Sequence, residues 1–152
     1  MCIVARIVWS CGKSKAIKVT VVVGAITAAI YHVESQPSES GRCVLVDSTS
    51  GRDLVGKEWN VRTGVIEYGG APAIVHVGVA YFSNFTDSRV YAVGVEKGSE
   101  PHALTPGHAH AEIESKVFRF ANFDVHPKHS QLLVSVLGDH SNNSSPTSRA
   151  AQ

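Results

Sequence analysis

The sequence predicts an all-β protein: a partial β-propeller of about two to three blades of antiparallel four-stranded sheet. Three observations carry that expectation. Short runs rich in β-branched and aromatic residues alternate with turn clusters along most of the chain. Helix-period segments are scarce, and 109–116 has room for about two turns. The strand runs also recur at a spacing of about 50 residues, a period that fits propeller blades or another repeat sheet.

Residues 1–17 show no steady period and are expected to be an irregular N-terminal segment, followed by the propeller over 18–141. The run Val19–Ile30 (VTVVVGAITAAI) is the one membrane-like stretch, and its 12 residues fall well short of the ~20 a spanning helix needs. Its Val, Ile and Thr content favours a buried strand. Basic residues before it and Ala28 and Ala29 at its end keep a secretory signal open as the alternative. Strands follow over 28–34, 42–47 and 48–53, with the turn cluster 35–41 between the first two. After Gly69 and Gly70 come 73–76, 79–84 and 89–95, then a turn at 96–99. A last pair, 117–124 and 132–138, is joined by 126–130. The tail over 142–152 is polar, lacks large apolar residues, and is expected to be disordered.

The repeat is visible residue by residue. Ile30-Tyr31-His32-Val33-Glu34 is followed by Arg42-Cys43-Val44-Leu45-Val46, Gly51 and Leu54. Ala80-Tyr81-Phe82-Ser83-Asn84 is followed by Arg89-Val90-Tyr91-Ala92-Val93, Gly98 and Leu104. Tyr31 to Tyr81 and Leu54 to Leu104 are 50 positions apart, and Arg42 to Arg89 is 47. A third copy is expected to begin at 132–138.

Composition narrows the function classes. A net charge of +1 argues against a dedicated nucleic-acid surface, which needs clustered Lys and Arg to replace counterions on phosphates. Cys2, Cys11 and Cys43 are odd in number and lack a C-x-x-C pair, so a reducing, cytoplasmic setting is the simpler inference. Glycosylation-type triplets begin at Asn84, Asn142 and Asn143 and matter only in a secreted chain. No membrane association is expected.

Asn60-Val61-Arg62-Thr63, Glu67-Tyr68-Gly69-Gly70, Val79 through Tyr91, and Pro101-His102-Ala103-Leu104-Thr105-Pro106 occur in that order. With Glu34 to Arg42 and Gly138 to Ser141, this series resembles the propeller of prolyl-oligopeptidase-family serine peptidases. The nearest branch is the dipeptidyl-aminopeptidase and acylaminoacyl-peptidase one, and the similar region covers about residues 28–141. Two departures are local: Ile66 stands where that family usually carries His, and Ala71-Pro72 follows the glycine pair where a small residue is expected. The third is larger. The resemblance stops near Ser141, before the remaining blades and the hydrolase domain, and no Gly-x-Ser-x-Gly pentapeptide occurs. The resemblance therefore implies a non-catalytic, substrate-gating propeller fragment with no peptidase activity of its own. A stand-alone peptide- or protein-binding module is the alternative. Expected partners are peptides, the missing hydrolase domain, or other copies of the chain meeting through open blade faces.

Among the polar residues, Glu67 and Tyr68 are the candidate substrate-binding pair. The two glycines after them permit a tight turn that exposes both at a strand end. In related exopeptidases a propeller carboxylate holds the substrate's amino terminus through a charge-assisted bond. The competing reading has Glu67 and Tyr68 simply closing a blade turn. No spacing of Ser, His and Asp proposes a catalytic triad. Gly12-Lys13-Ser14 resembles the end of a phosphate loop, but Ile7 stands where its first Gly is required. Of the eight histidines, His108 and His110 would share one strand face, yet Thr105–Ala111 reads as a loop, so no metal or cofactor is expected. Cys43 reads as a small buried hydrophobe in mid-strand.

Overall fold

The computed structural model describes residues 3–10, 16–23, 28–65, 70–107, 118–126, 128–129, 133–139 and 148–150. Twelve strands run through them: β1 (Ile3–Ser10), β2 (Ala16–Val23), β3 (Ala28–Gln36), β4 (Arg42–Asp47), β5 (Arg52–Asp53), β6 (Ala73–His76), β7 (Val79–Ser83), β8 (Val90–Gly94), β9 (His102–Ala103), β10 (Phe118–Val125), β11 (Leu133–Asp139) and β12 (Ser148–Ala150). They form three sheets in which each strand pairs with its sequence neighbour, β1 to β5, β6 to β9 and β10 to β12. Every pairing is antiparallel. This is a partial β-propeller, with the second sheet a complete four-stranded blade.

The turns explain why the chain reverses where it does. Between β3 and β4 a single 3-10 turn, Pro37–Glu39, leads to Ser40 and Gly41 at positive φ, and the Gly41 N–H closes on the Gln36 carbonyl at 3.0 Å. After β4, Asp47 uses its carboxylate to accept from the Thr49 N–H (2.9 Å) and the Ser50 hydroxyl (2.8 Å). Those bonds hold the Asp47 carboxyl below its ordinary range despite the opposing effect of burial. β6 and β7 are joined by a two-residue turn, Val77-Gly78, with φ of 45° and 75°.

The blades pack in series through alternating faces of the second sheet. On one face, Ala73, Val75, Ala80, Phe82, Tyr91 and Val93 meet Tyr31, Val33 and Leu45 of the first sheet, with Leu54, Val55 and Val61 of the connecting segment. The half-buried Trp59 packs against this cluster, edge-on to Phe82 at 5.7 Å and to Tyr91 at 4.6 Å. On the other face, Ile74, Tyr81 and Val90 pack with Phe120, Phe123 and Leu133 of the third sheet. Both faces being covered, Val90-Tyr91-Ala92-Val93 is buried at every position, hence a continuous apolar run rather than an alternating one.

The 50-residue echo is a real structural repeat. Tyr31 lies on the face its blade turns toward the second sheet, and Tyr81 on the face its blade turns toward the third. Gly51 follows β4 and Gly98 follows β8, each ahead of the last strand of its sheet, and both have positive φ. The match ends at Leu104, which is 44% exposed whereas Leu54 is buried.

The structure differs from the sequence reading at both ends. Residues 1–17 are not irregular throughout: β1 occupies Ile3–Ser10 and pairs along its whole length with β2, from Ile3↔Val23 to Ser10↔Ala16. Aperiodic side chains hid a strand whose partner lies in the next segment. Val19–Ile30 is not one strand but parts of two, folded back so that Val21 pairs with Ile30. The tail over 142–152 is not wholly without structure, since β12 pairs with β11 through Leu137↔Arg149; an open strand edge accepts a backbone whatever its side chains. The third sheet starts with β10, ahead of the copy expected at 132–138. Among the described residues no helix is long and apolar enough to cross a membrane.

Candidate functional site

Glu67 and Tyr68 lie outside the described residues, as do His108, His110 and the 109–116 segment. The chain on either side of Glu67 and Tyr68 is pinned to the third sheet. Arg119 of β10 donates from Nη1 to the Gly64 carbonyl at 2.9 Å. Asn122 of β10 accepts from the Ala71 N–H at 3.0 Å through Oδ1 and returns its own N–H to the Ala71 carbonyl at 2.9 Å. Gly70 sits against Ala121, so closely that a Cβ at position 70 would land on the Ala121 methyl. Only glycine permits that approach.

The same crossing builds a shallow surface cleft, open to solvent and lined by Arg62, Thr63, Gly64, Ser83, Asn84, Ser88, Arg119 and Phe120. Its floor comes from the end of β7 and is rigidly bonded. Ser83 Oγ donates to the Phe120 carbonyl at 2.7 Å, tying the second sheet to the third. Asn84 donates from Nδ2 to Asp87 at 3.1 Å and accepts the Asn60 N–H at 3.2 Å. Its walls are cationic. The Arg62 guanidinium lies 4.8 Å from the centroid of the half-exposed Phe85 ring. The aliphatic and guanidinium carbons of Arg119 press against Gly64. Ion pairs among the described residues are His32–Glu34, Arg42–Glu39 and Lys57–Glu39, all away from this cleft. The Arg42 bond to Glu39 holds that carboxyl below its ordinary range.

Other polar groups serve the fold. Arg52 donates to the Val95 carbonyl at 2.6 Å and Arg89 to the Thr105 carbonyl at 2.9 and 2.7 Å, the first bond bridging two blades. Cys43 is half-buried at the edge of the core, and burial pushes its thiol upward, away from reactivity. Among the described residues no group of three or more His, Cys, Asp or Glu is placed to hold a metal ion.

Sequence reasoning singled out the segment containing Arg62 but not Arg62 itself, and it missed Arg119. Arg62 and Arg119 are 57 positions apart and line one cleft because Arg119 of β10 holds the Gly64 carbonyl.

Stacked antiparallel sheets of this kind define the fold as a partial β-propeller. Two solved structures are similar to it. One is titled crystal structure of puromycin hydrolase, with 24% identity and a TM-score of 0.59. The other is the S511A mutant of puromycin hydrolase complexed with PGG, with 22% identity and a TM-score of 0.53. Each match covers 85% of this chain, which spans only 19% and 22% of the respective hydrolase chains, about a fifth of their length. No family model matches the sequence, and no curated protein matches it.

Proposed function

We propose that this chain is part of the propeller of a prolyl-oligopeptidase-family peptidase, of the dipeptidyl-aminopeptidase or acylaminoacyl-peptidase branch. Its role there is non-catalytic: it forms wall and floor of the passage that admits peptides by size. The observation that carries this reading is the fold likeness to puromycin hydrolase over 85% of the chain. The ordered motifs from Asn60 to Pro106 support it from the sequence side. Peptides and a hydrolase domain are the expected partners, and the cytoplasm the expected location.

The test is direct. The chain is incubated with acyl-amino-acid and dipeptidyl chromogenic substrates and with a serine-directed fluorophosphonate. Neither turnover nor labelling is expected, because no Gly-x-Ser-x-Gly turn is present to raise a serine nucleophile. Labelling of this chain together with titratable turnover overturns the reading. Self-association belongs to the same proposal: the three sheets pack in series, leaving terminal faces and edges for other copies. Light scattering at micromolar concentration is expected to report oligomers. A monodisperse monomer with a sharp melt favours the stand-alone binding module instead.

A further inference from the structure

We propose that the cleft between Arg62 and Arg119 is a subsite for a peptide carboxylate, whose neighbouring apolar side chain lies on Phe85. The choice of a peptide as the carrier rests on the propeller reading above; the anion chemistry does not.

The argument begins with which donors remain. Ser83 spends its hydroxyl on the Phe120 carbonyl, and Asn84 spends its amide nitrogen on Asp87 and its amide oxygen on the Asn60 N–H. Ser83 and Asn84 are thereby tied into the fold. Arg119 commits Nη1 to the Gly64 carbonyl, while the Arg62 guanidinium lies over the Phe85 ring and makes no side-chain hydrogen bond among those described. Charged N–H donors remain on both guanidinium groups, and the ion pairs among the described residues involve neither arginine. Two like charges at one cleft repel, and an anion between them relieves that repulsion.

Geometry selects among anions. A guanidinium offers a planar fork that matches a carboxylate through two parallel bonds. Phe85 is 44% exposed beside Arg62, so an apolar side chain adjoining the carboxylate has a surface to cover. The two possible sources, a C-terminal carboxylate and an Asp or Glu side chain, share this chemistry.

The experiment captures the full chain at low density on a biosensor and flows three peptides at low ionic strength. These are N-acetyl-Gly-Gly-Phe as the free acid, the same peptide as its C-terminal amide, and the amide of N-acetyl-Gly-Glu-Phe. The free acid is expected to bind about tenfold or more tighter than its amide, the scale of hydrogen bonds to a charged group. Comparable binding of the Glu-containing amide assigns the source to a side-chain carboxylate, and its failure assigns a C-terminal one. Arg62→Gln is expected to lose about tenfold in affinity. Its exposed side chain makes no hydrogen bond among those described, so its fold is kept. Arg119→Lys, which keeps the charge but not the fork, is expected to fall in between. Equal binding of acid and amide, an Arg62→Gln variant that binds like the parent, or no saturable binding by a parent chain that melts cooperatively each overturns the proposal. So does inorganic phosphate that binds more tightly than the acid and loses its affinity in Arg62→Gln. None of these outcomes depends on turnover or fluorophosphonate labelling, so failure here is distinguishable from failure of the propeller reading.

Discussion

Asn60 gives its backbone N–H to the side-chain oxygen of Asn84 at 3.2 Å, while its own side-chain oxygen takes the backbone N–H of Cys43 at 3.0 Å. Its carbonyl accepts the Phe85 N–H at 2.9 Å. One residue between the blades thus holds β4 on one side and the end of β7 on the other.

Asn84→Ala should therefore destabilise the chain by about 1–3 kcal/mol, the cost of leaving its partly buried partners unmatched. Asn84 is 5% exposed, so water cannot readily take its place. Urea melts of the parent and variant check this. A change within about 0.5 kcal/mol, typical of surface positions, would show the bridge to be incidental.

Gly70→Ala should cost about 1–3 kcal/mol, because its new methyl collides with Ala121 of β10. The paired change Ala121→Gly should recover a good part of that loss. Denaturant midpoints of the two single variants and the double variant give the coupling. Strict additivity would mean that the two positions do not meet.

Val77 is a β-branched residue held at φ 45° and 73% exposed, in a turn that ordinarily takes Asn followed by Gly. Val77→Asn should stabilise the chain by about 0.5–1 kcal/mol, by removing strain at no cost in packing. An unchanged or lowered thermal midpoint would contradict it.

Tyr31 and Tyr91 both hold their phenols above the ordinary range. Burial is the main cause in each, followed for Tyr91 by its hydrogen bond to Asp87 and for Tyr31 by the nearby Asp47 carboxylate. The fold favours the neutral phenol, so this contribution is complete below the unfolded value near 10 and is lost as pH rises through the raised folded values. Stability measured by denaturant melts should fall above about pH 10. Tyr91→Phe should flatten that fall and, at neutral pH, cost about 0.5–1.5 kcal/mol for the lost bond. A fall of the same steepness in the variant would assign the titration elsewhere.

The blade strands were legible because local pattern and final environment agree. Arg42–Asp47 and Ala73–His76 are apolar runs closed by turn residues, and the observed strands have those same bounds. β1 was illegible because its period is imposed by pairing with β2 rather than by burial that its own sequence announces. The arginine cleft was illegible for a related reason. Arg119 sits in a strand whose alternating neighbours Ala121, Phe123 and Val125 are buried, and nothing local marks it as facing Gly64. Long-range crossing, not motif, brings it there.

The alternation of faces in the second sheet has a mechanical meaning. Phe82 and Tyr81 are adjacent in sequence, yet one answers to the first sheet and the other to the third. Changes at Phe82 and at Phe123 share no cluster, so their effects on stability should simply add, as for nearest-neighbour arrays. The blade behaves as a partition with two independent sides. A sequence drifting on one side leaves the contact on the other intact, and each junction between blades is free to vary on its own.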